Sequence, residues 1–222
     1  MKRFSLASLF LLVALVALST ALFTTTSQLT NARAELIKLR NEIRVLDPSK
    51  PNQMRAIAIP AFGRNQWRWR VDLPDNEKFV LRWAYNGIPF DKSLPIEADS
   101  SFRPPTLPSD EFLLSIAAVQ EDGQWMLGVS TQSTSGVGEV DFTTPMNAND
   151  STWLARRGGK SVDQLAGERE TENHQVDSPF VLLRFRKALT PSSGVTEQDP
   201  QPTDGILVWI EKANNTNQGR TK

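Results

Sequence analysis

The chain has no cysteine and only one histidine, His174, among its 222 residues. The absence of cysteine excludes disulfide frameworks, thiolate metal ligands, thiol nucleophiles and iron–sulfur clusters. A single histidine also excludes motifs that place two histidines on a metal, such as H-E-x-x-H. Basic and acidic residues number 25 each, so no excess of charge would recruit nucleic acid. The sequence therefore predicts no cofactor and no nucleic-acid partner.

Charge is also missing from one long apolar run, Leu6–Phe23, which contains 18 residues. As an α-helix this run is about 27 Å long, close to the ~30 Å hydrocarbon thickness of a bilayer. Lys2 and Arg3 precede the run, and the positive-inside rule then predicts a cytoplasmic N-terminus. Residues 1–26 are therefore predicted to form a single-pass anchor in a bacterial cell membrane, with the lipid bilayer as a partner and an extracytoplasmic main domain.

A cleaved signal peptide is the alternative interpretation of this segment. Small residues at Ala17, Ser19 and Ala21 would suit a signal peptidase. Leu22 and Phe23 continue the apolar run past those positions, which favours a retained anchor. Both interpretations export the rest of the chain, which would be periplasmic or secreted after cleavage.

Residues 27–47 are predicted to form a coiled-coil stalk that ends at Asp47, because Pro48 follows. Glu35 at a g position could face Arg40 at an e position of a parallel partner. The alternative is an amphipathic helix lying on its own domain or on the membrane, since so short a coil is marginal in water. The stalk is predicted to pair with a second copy of the chain, as a homodimer, or with another coiled-coil partner. The predicted oligomerisation residues are Glu35, Arg40 and the residues at heptad a and d spacing: Leu29, Ala32, Leu36, Leu39, Ile43 and Leu46.

After a linker at residues 48–53, residues 54–211 show the two-residue period of β-strands. Trp67, Trp69 and Val71, for example, alternate with charged residues. Roughly seven strands predict a mainly β fold with a β-sandwich-like domain, followed by a disordered tail at 212–222. The predicted strands are Met54–Ile59, Trp67–Leu73, Phe79–Tyr85, Phe112–Gln120, Gln124–Ser130, Phe180–Arg186 and Ile206–Ile210.

Two features of this domain allow more specific predictions. A helix over Ser109–Gln120 is the rival of a strand there, but Glu121-Asp122-Gly123 is a hairpin turn signal and favours the strand. Three long polar connections, each predicted to be functional or mobile, are Gly87–Asp110, Ser130–Pro145 and Thr190–Asp204.

The chain contains six tryptophans, which could serve as stacking platforms for a glycan. Most fall on inward strand positions, so they are predicted to build the core. Trp153 is predicted to be the exception and a possible ligand contact, because its surroundings resemble a loop.

Polar motifs give weaker signals. On a strand, Arg68 and Arg70 point away from the tryptophans beside them, which predicts a solvated face. Gly159-Lys160-Ser161 fits the end of a phosphate-binding loop, but Leu154 stands where its first glycine should be, so that motif is rejected. Arg156, Arg157 and Lys160 then form a small basic patch on a predicted loop.

Catalytic chemistry is equally hard to place. His174 lies among scattered carboxylates in Gly167–Asp177, which is too little to predict a metal site. A hydrolase that uses two carboxylates needs no histidine, but the sequence singles out no pair.

Three short segments carry a resemblance to known proteins. Arg3-Phe4-Ser5-Leu6 before the apolar run, Trp67–Pro74 and Asp122–Leu127 resemble a group of uncharacterised bacterial membrane-anchored proteins. The resemblance implies a single-pass anchor with an extracytoplasmic domain and brings no known active site. The sequence thus predicts a membrane-anchored interaction or scaffold protein without catalytic activity. A glycan-binding or other ligand-binding β module is the alternative, and a carboxylate-dependent hydrolase is a further one.

Overall fold

The computed structural model describes residues 6–47, 52–61, 63–91, 93–94, 106–133, 140–146, 152–155, 160–188 and 199–213. Within the N-terminal helix, side chains are described at residue 10 and at residues 14–33. The chain divides into two compact units, Met1–Ile43 and Arg44–Lys222.

The first unit is one uninterrupted helix, α1 (Leu6–Ile43), of 38 residues. Threonine hydroxyls along this helix donate hydrogen bonds to backbone carbonyls of the preceding turn. Thr20 donates to the carbonyl of Val16 and Thr25 to that of Ala21, both at 2.8 Å. In the part of the chain that the structure describes, no helix is both long enough and apolar enough to cross a membrane.

The helix ends earlier than the heptad pattern predicts. Arg44 has a φ of 53°, a left-handed conformation that ends an α-helix, so the chain leaves the helix four residues before Pro48. Leu46 lies beyond this point and is 5% exposed within the second unit. Its assignment to a coiled-coil seam is therefore wrong, because its side chain is already buried elsewhere.

The second unit contains two antiparallel sheets in its described residues. The strands are β1 (Gln53–Ile59), β2 (Gln66–Asp72), β3 (Phe79–Ala84), β4 (Phe112–Glu121), β5 (Gln124–Ser133), β6 (Val140–Pro145), β7 (Lys160–Leu165), β8 (Glu172–Gln175), β9 (Phe180–Lys187) and β10 (Gly205–Lys212). The six-stranded sheet has the order β6-β5-β4-β2-β1-β8 and the four-stranded sheet the order β3-β10-β9-β7. A short 3₁₀-helix, Thr152–Leu154, precedes β7.

The two sheets share one hydrophobic core, to which the inward side chains of both contribute. Trp67 of β2 packs edge-on against Phe185 of β9, with ring centroids 5.0 Å apart. Trp83 of β3 and Phe142 of β6 make a second ring contact between the sheets at 5.5 Å. The prediction of a mainly β chain with one N-terminal helical region is confirmed.

The hairpin prediction at Glu121 is also confirmed, and the rival helix over Ser109–Gln120 is wrong. Glu121 pairs with Gln124 across a two-residue turn. Asp122 and Gly123 have φ of 49° and 82°, the left-handed values that a tight hairpin turn with right-handed strand twist requires.

Three strands lie where the sequence predicts none. Strand β6 falls inside the predicted connection Ser130–Pro145, β8 falls inside the polar run Gly167–Asp177, and β7 begins at Lys160 of the supposed basic loop. Each of the three is an edge strand of its sheet. Their hydrogen bonds to a neighbouring strand, rather than their own apolar pattern, give them their structure.

The close approach of Gly167 to β1 generates a stability prediction. Its φ is +68°, and a Cβ there would lie 2.5 Å from the carbonyl oxygen of Ala56 and from the Cα of Ile57. Gly167→Ala therefore adds a backbone clash to the left-handed strain, and we expect a loss of about 3 kcal/mol in the free energy of unfolding. Urea unfolding of the full chain, followed by tryptophan fluorescence, measures it.

Gly87→Ala is the matched control for this substitution. Its φ is +62°, but a Cβ there would meet nothing within 4 Å. It should cost only the left-handed strain, about 1 kcal/mol. If the two variants lose the same free energy of unfolding, the close approach of Gly167 to β1 adds nothing to the cost of the substitution.

Candidate functional site

The predicted oligomerisation residues divide into three groups. Leu29 is 51% exposed and Ala32 is exposed, so both are available to a partner. Leu46 is buried in the second unit, as described above. The side chains of the remaining five residues lie outside the described residues, although their backbone is helical: Glu35, Leu36, Leu39, Arg40 and Ile43.

Trp153 is not the exposed aromatic residue that the sequence predicts. It is 1% exposed, and its ring packs against Phe185 at 5.2 Å. Its indole N–H has no hydrogen-bond partner among the described residues. Because the ring presents no free face to solvent, the basis for a ligand contact at Trp153 is removed, and all six tryptophans are at most 9% exposed.

The polar residues that the sequence singles out, around Arg68 and around His174, contact neighbouring protein groups. Trp67 and Trp69 point into the core and Arg68 and Arg70 lie on the other face, as predicted. The two arginines are half-buried rather than fully solvated, and Arg70 forms an ion pair with Glu111 at 2.8 Å. His174 contacts the hydroxyl of Ser178 at 2.9 Å, and its ring stacks on Phe180. Among the described residues, no group of three or more histidine or acidic side chains could hold a metal ion.

The second unit contains a cleft of about 550 Å³. Its lining includes the turn at residues 63–65, the first two residues of β2, and Lys160 and Val162 of β7. Trp67 and Phe185, the ring pair that joins the two sheets, also line it. The antiparallel register places Val162 of β7 directly beside Phe185 of β9. The cleft is therefore an opening between the two sheets, with the edge of the hydrophobic core as its floor.

Lys160 and Arg64 give this cleft its charge. The Lys160 ammonium donates to the side-chain oxygen of Asn65 at 3.1 Å and to the carbonyl of Leu154 at 2.5 Å. Burial and, secondarily, the charge of Arg64 lower the pKa of Lys160 from its ordinary value. No carboxylate lines the described part of the cleft, so two cations face it without a counter-charge.

The lining of the cleft also includes three apolar side chains, those of Trp67, Val162 and Phe185. Val162 is 51% exposed, and Phe90 is the other large hydrophobic side chain exposed in the described part of the second unit. Asn65 is held in place because its amide group also donates to the carbonyl of Leu154 at 3.2 Å. The arrangement offers a fixed ammonium, a solvent-facing guanidinium and an apolar floor within one small-molecule-sized space.

Two other cavities have different chemistry. A smaller one, about 210 Å³, shares Gln66 and Trp67 with the cleft and also includes Glu168, an acidic residue. A second, about 540 Å³, is lined mainly by apolar residues of the segments 87–94 and 200–202 and contains Asp91. The smaller cavity also has two cations, Arg44 and Arg68, but Glu168 lies beside them, and the described lining of the other cavity contains an acid and no cation.

Sequence reasoning found only one member of the cleft, Lys160, and placed it in a solvated loop. Arg64 carries no motif, and Phe185 and Trp67 are indistinguishable from other core residues in the sequence. Comparisons of the chain with protein-family models, with curated proteins and with solved structures find no match.

The cleft generates a prediction about the titration of Lys160. Arg64→Ala removes one of the two causes that disfavour the charged ammonium, so the pKa of Lys160 should rise toward its ordinary value while burial keeps it lowered. Mass-spectrometric labelling of lysines as a function of pH measures this in the full chain. Lys212 is the internal control, because the hydrogen bond that it donates to Glu77 raises its pKa and Arg64 has no part in that shift. An unchanged Lys160 would contradict the coupling.

Proposed function

We propose that this protein is a non-catalytic interaction module of the bacterial cell envelope, held at a membrane by its N-terminal helix and paired with a second copy through that helix. The observation that carries the proposal is the exposure of apolar side chains on α1. Of the nine large hydrophobic residues exposed in the described part of the chain, seven lie on this helix: Phe10, Leu15, Val16, Leu18, Leu22, Phe23 and Leu29. An exposed apolar surface of this extent is typical of a site that is buried against a membrane or a protein partner.

The bilayer is the proposed cover for the first half of the helix. Leu6–Phe23 contains no charge, and Lys2 and Arg3 stand before it. The described side chains of this segment begin at Phe10 and resume at Ala14, so the proposal of a span rests on the sequence. A retained span would leave the second unit, proposed to be β-sandwich-like, on the extracytoplasmic side.

A second copy of the chain is the proposed cover for the later half. The seam positions run from Leu29 to Ile43, and the two that the structure describes there, Leu29 and Ala32, are exposed. Glu35 and Arg40 supply the g-to-e′ charge pair that favours parallel chains. Anchoring both copies in one membrane raises their effective concentration and supports a short coil.

The non-catalytic part of the proposal is supported by the scarcity of nucleophiles and bases, and the carboxylate-dependent hydrolase, which needs neither cysteine nor histidine, is the further alternative. Cysteine is absent from the chain, and its one histidine is engaged with Ser178 and stacked on Phe180. A second candidate function, binding of a glycan or another ligand by the second unit, is favoured by the cleft between Arg64 and Lys160.

The membrane proposal predicts the intact mass of the protein in its native host. We expect protein recovered from alkali-washed membranes to retain residues 1–23, because a spanning segment resists extraction and is not cleaved. Mass spectrometry of the undigested chain measures this. A mass that corresponds to a chain beginning near Ala21 or Leu22, recovered from a soluble fraction, would contradict the anchor.

The pairing proposal predicts a loss of crosslinking. Leu36→Ser with Leu39→Ser removes two apolar seam residues from each chain, so the crosslinked dimer in membranes should fall about tenfold or more. Lys38→Ser, between them but off the seam, is the control and should leave the dimer unchanged.

A charge exchange tests the register of the pair. Glu35→Lys should weaken the dimer by setting like charges opposite each other, and adding Arg40→Glu in the same chain should restore it. Undiminished dimer in the double-serine variant, or a monomeric parent protein, would contradict pairing through this seam.

A further inference from the structure

The cleft between the sheets concentrates positive charge in an otherwise balanced protein. Lysine plus arginine and aspartate plus glutamate are equal over the whole chain, yet the described lining of the cleft holds two cations and no acid. Neither Arg64 nor Lys160 makes an ion pair within the described part of the chain. Two like charges brought together without a counter-charge repel each other, and an anion placed between them would remove that repulsion.

The donors that remain free match an anionic group. An ammonium carries three N–H donors, and Lys160 uses two of them on Asn65 and Leu154. Arg64 is exposed and can turn its guanidinium toward the same space, where a carboxylate or phosphate accepts two parallel hydrogen bonds. The structure therefore holds one donor in place and offers a second that is free to adapt.

Three apolar side chains of the lining can contact the apolar face of a ring. Val162 is 51% exposed, whereas Trp67 and Phe185 are 9% and 4% exposed and present only their edges to the cleft. The amide of Gln66 is exposed at the rim and can bond hydroxyl groups. A volume of about 550 Å³ falls within the ~300–1,000 Å³ of small-molecule sites.

We propose that this cleft binds an acidic saccharide, with its anionic group between Arg64 and Lys160 and the apolar face of its ring against Val162 and the exposed edges of Trp67 and Phe185. The proposal deepens the second candidate function and does not depend on the pairing of the helices. A sugar, rather than an extended polyanion, fits because the described lining holds two cations and places apolar side chains beside them. A carboxylate and a phosphate ester share this chemistry, and the experiment separates them.

The experiment titrates the full-length protein in detergent with four probes and follows tryptophan fluorescence, to which Trp67 in the floor contributes. The probes are glucuronic acid, glucose 6-phosphate, glucose and inorganic phosphate. We expect a saturable signal from one or both acidic sugars. Glucose and inorganic phosphate should each bind with an affinity about tenfold lower or more, because glucose lacks the anionic group and inorganic phosphate lacks the sugar ring. Whichever acidic sugar binds more tightly identifies carboxylate or phosphate as the preferred anion.

Variants tie the signal to the cleft. Arg64→Ala and Lys160→Met should each weaken binding of the acidic sugar by about tenfold or more, since each removes a charged donor. Arg169→Ala and Lys78→Met alter exposed cations outside the cleft and should leave binding unchanged. Because Lys160 also bonds Asn65 and Leu154, Arg64→Ala, at an exposed side chain, is the variant that tests the site without disturbing the fold. Binding should also raise the pKa of Lys160, which the labelling experiment detects.

Three results would overturn the proposal. The first is the absence of saturation by either acidic sugar, and the second is glucose or inorganic phosphate binding as well as the acidic sugars. The third is an unchanged affinity in Arg64→Ala. The same protein sample reports the crosslinked dimer, so a failure of saccharide binding and a failure of helix pairing are seen separately.

Discussion

Strand β9 must be covered on both faces, because seven of its eight residues are buried. On the inner side Phe180 and Phe185 enter the core shared by the two sheets. On the outer side Val181 joins a second apolar cluster with Leu207 and Trp209 of β10. The outer face also carries two arginines, Arg184 and Arg186, that are 2% and 1% exposed. The arrangement of the surrounding loops follows from the need to cover these side chains.

The loops cover β9 by offering backbone carbonyls to the buried guanidinium groups. Arg184 donates to the carbonyls of Pro89 and Ser93, at 2.8 and 3.0 Å, and Arg186 donates to those of Asp199 and Gln201. A guanidinium has five donors in a fixed fork, so one side chain can hold two carbonyls of a loop that has no regular structure. The cost is desolvation, and burial, together with the charge of Arg186, lowers the pKa of Arg184. The described parts of the two long connections around residues 90 and 200 are thus structural covers for the sheet.

The sequence predicts the strands that have an apolar pattern of their own and misses those that do not. Strand β2 alternates between core and solvent, and its prediction from Trp67, Trp69 and Val71 is correct. Strand β7 has no fully buried residue, and β8 consists of Glu172, Asn173, His174 and Gln175, so neither has a hydrophobic face to detect. These strands exist because a neighbour supplies hydrogen-bond partners: β8 pairs with β1, and β7 with β9.

The candidate cleft could not be predicted for the same reason. Its residues come from a turn near position 64, from β2, from β7 and from β9. The pairing of Val162 with Phe185 and the hydrogen bond from Lys160 to Asn65 bring them together. The sequence shows Lys160 beside a glycine and a serine, which suggests a phosphate-binding loop, whereas the structure makes it the first residue of an edge strand. The chemistry of the site therefore depends on the register of a strand that the sequence does not reveal.

Leu46 shows that apolar periodicity identifies a buried side chain but not its partner. Its spacing continues the heptad, yet the left-handed Arg44 ends the helix first. Arg55, 5% exposed, then donates to the carbonyl of Asp47 and to the carboxylate of Asp72, while the amide of Asp47 donates to Thr171. Residues 44–47 are thereby fixed to the second unit, and the seam is limited to five positions, Leu29 to Ile43. A seam this short is marginal for chains free in water, so the proposed pairing requires the high local concentration that a shared membrane provides. If the N-terminal segment is removed by cleavage, the physical basis for pairing is removed with it, and the ligand cleft becomes the feature of the second unit with the stronger claim to function.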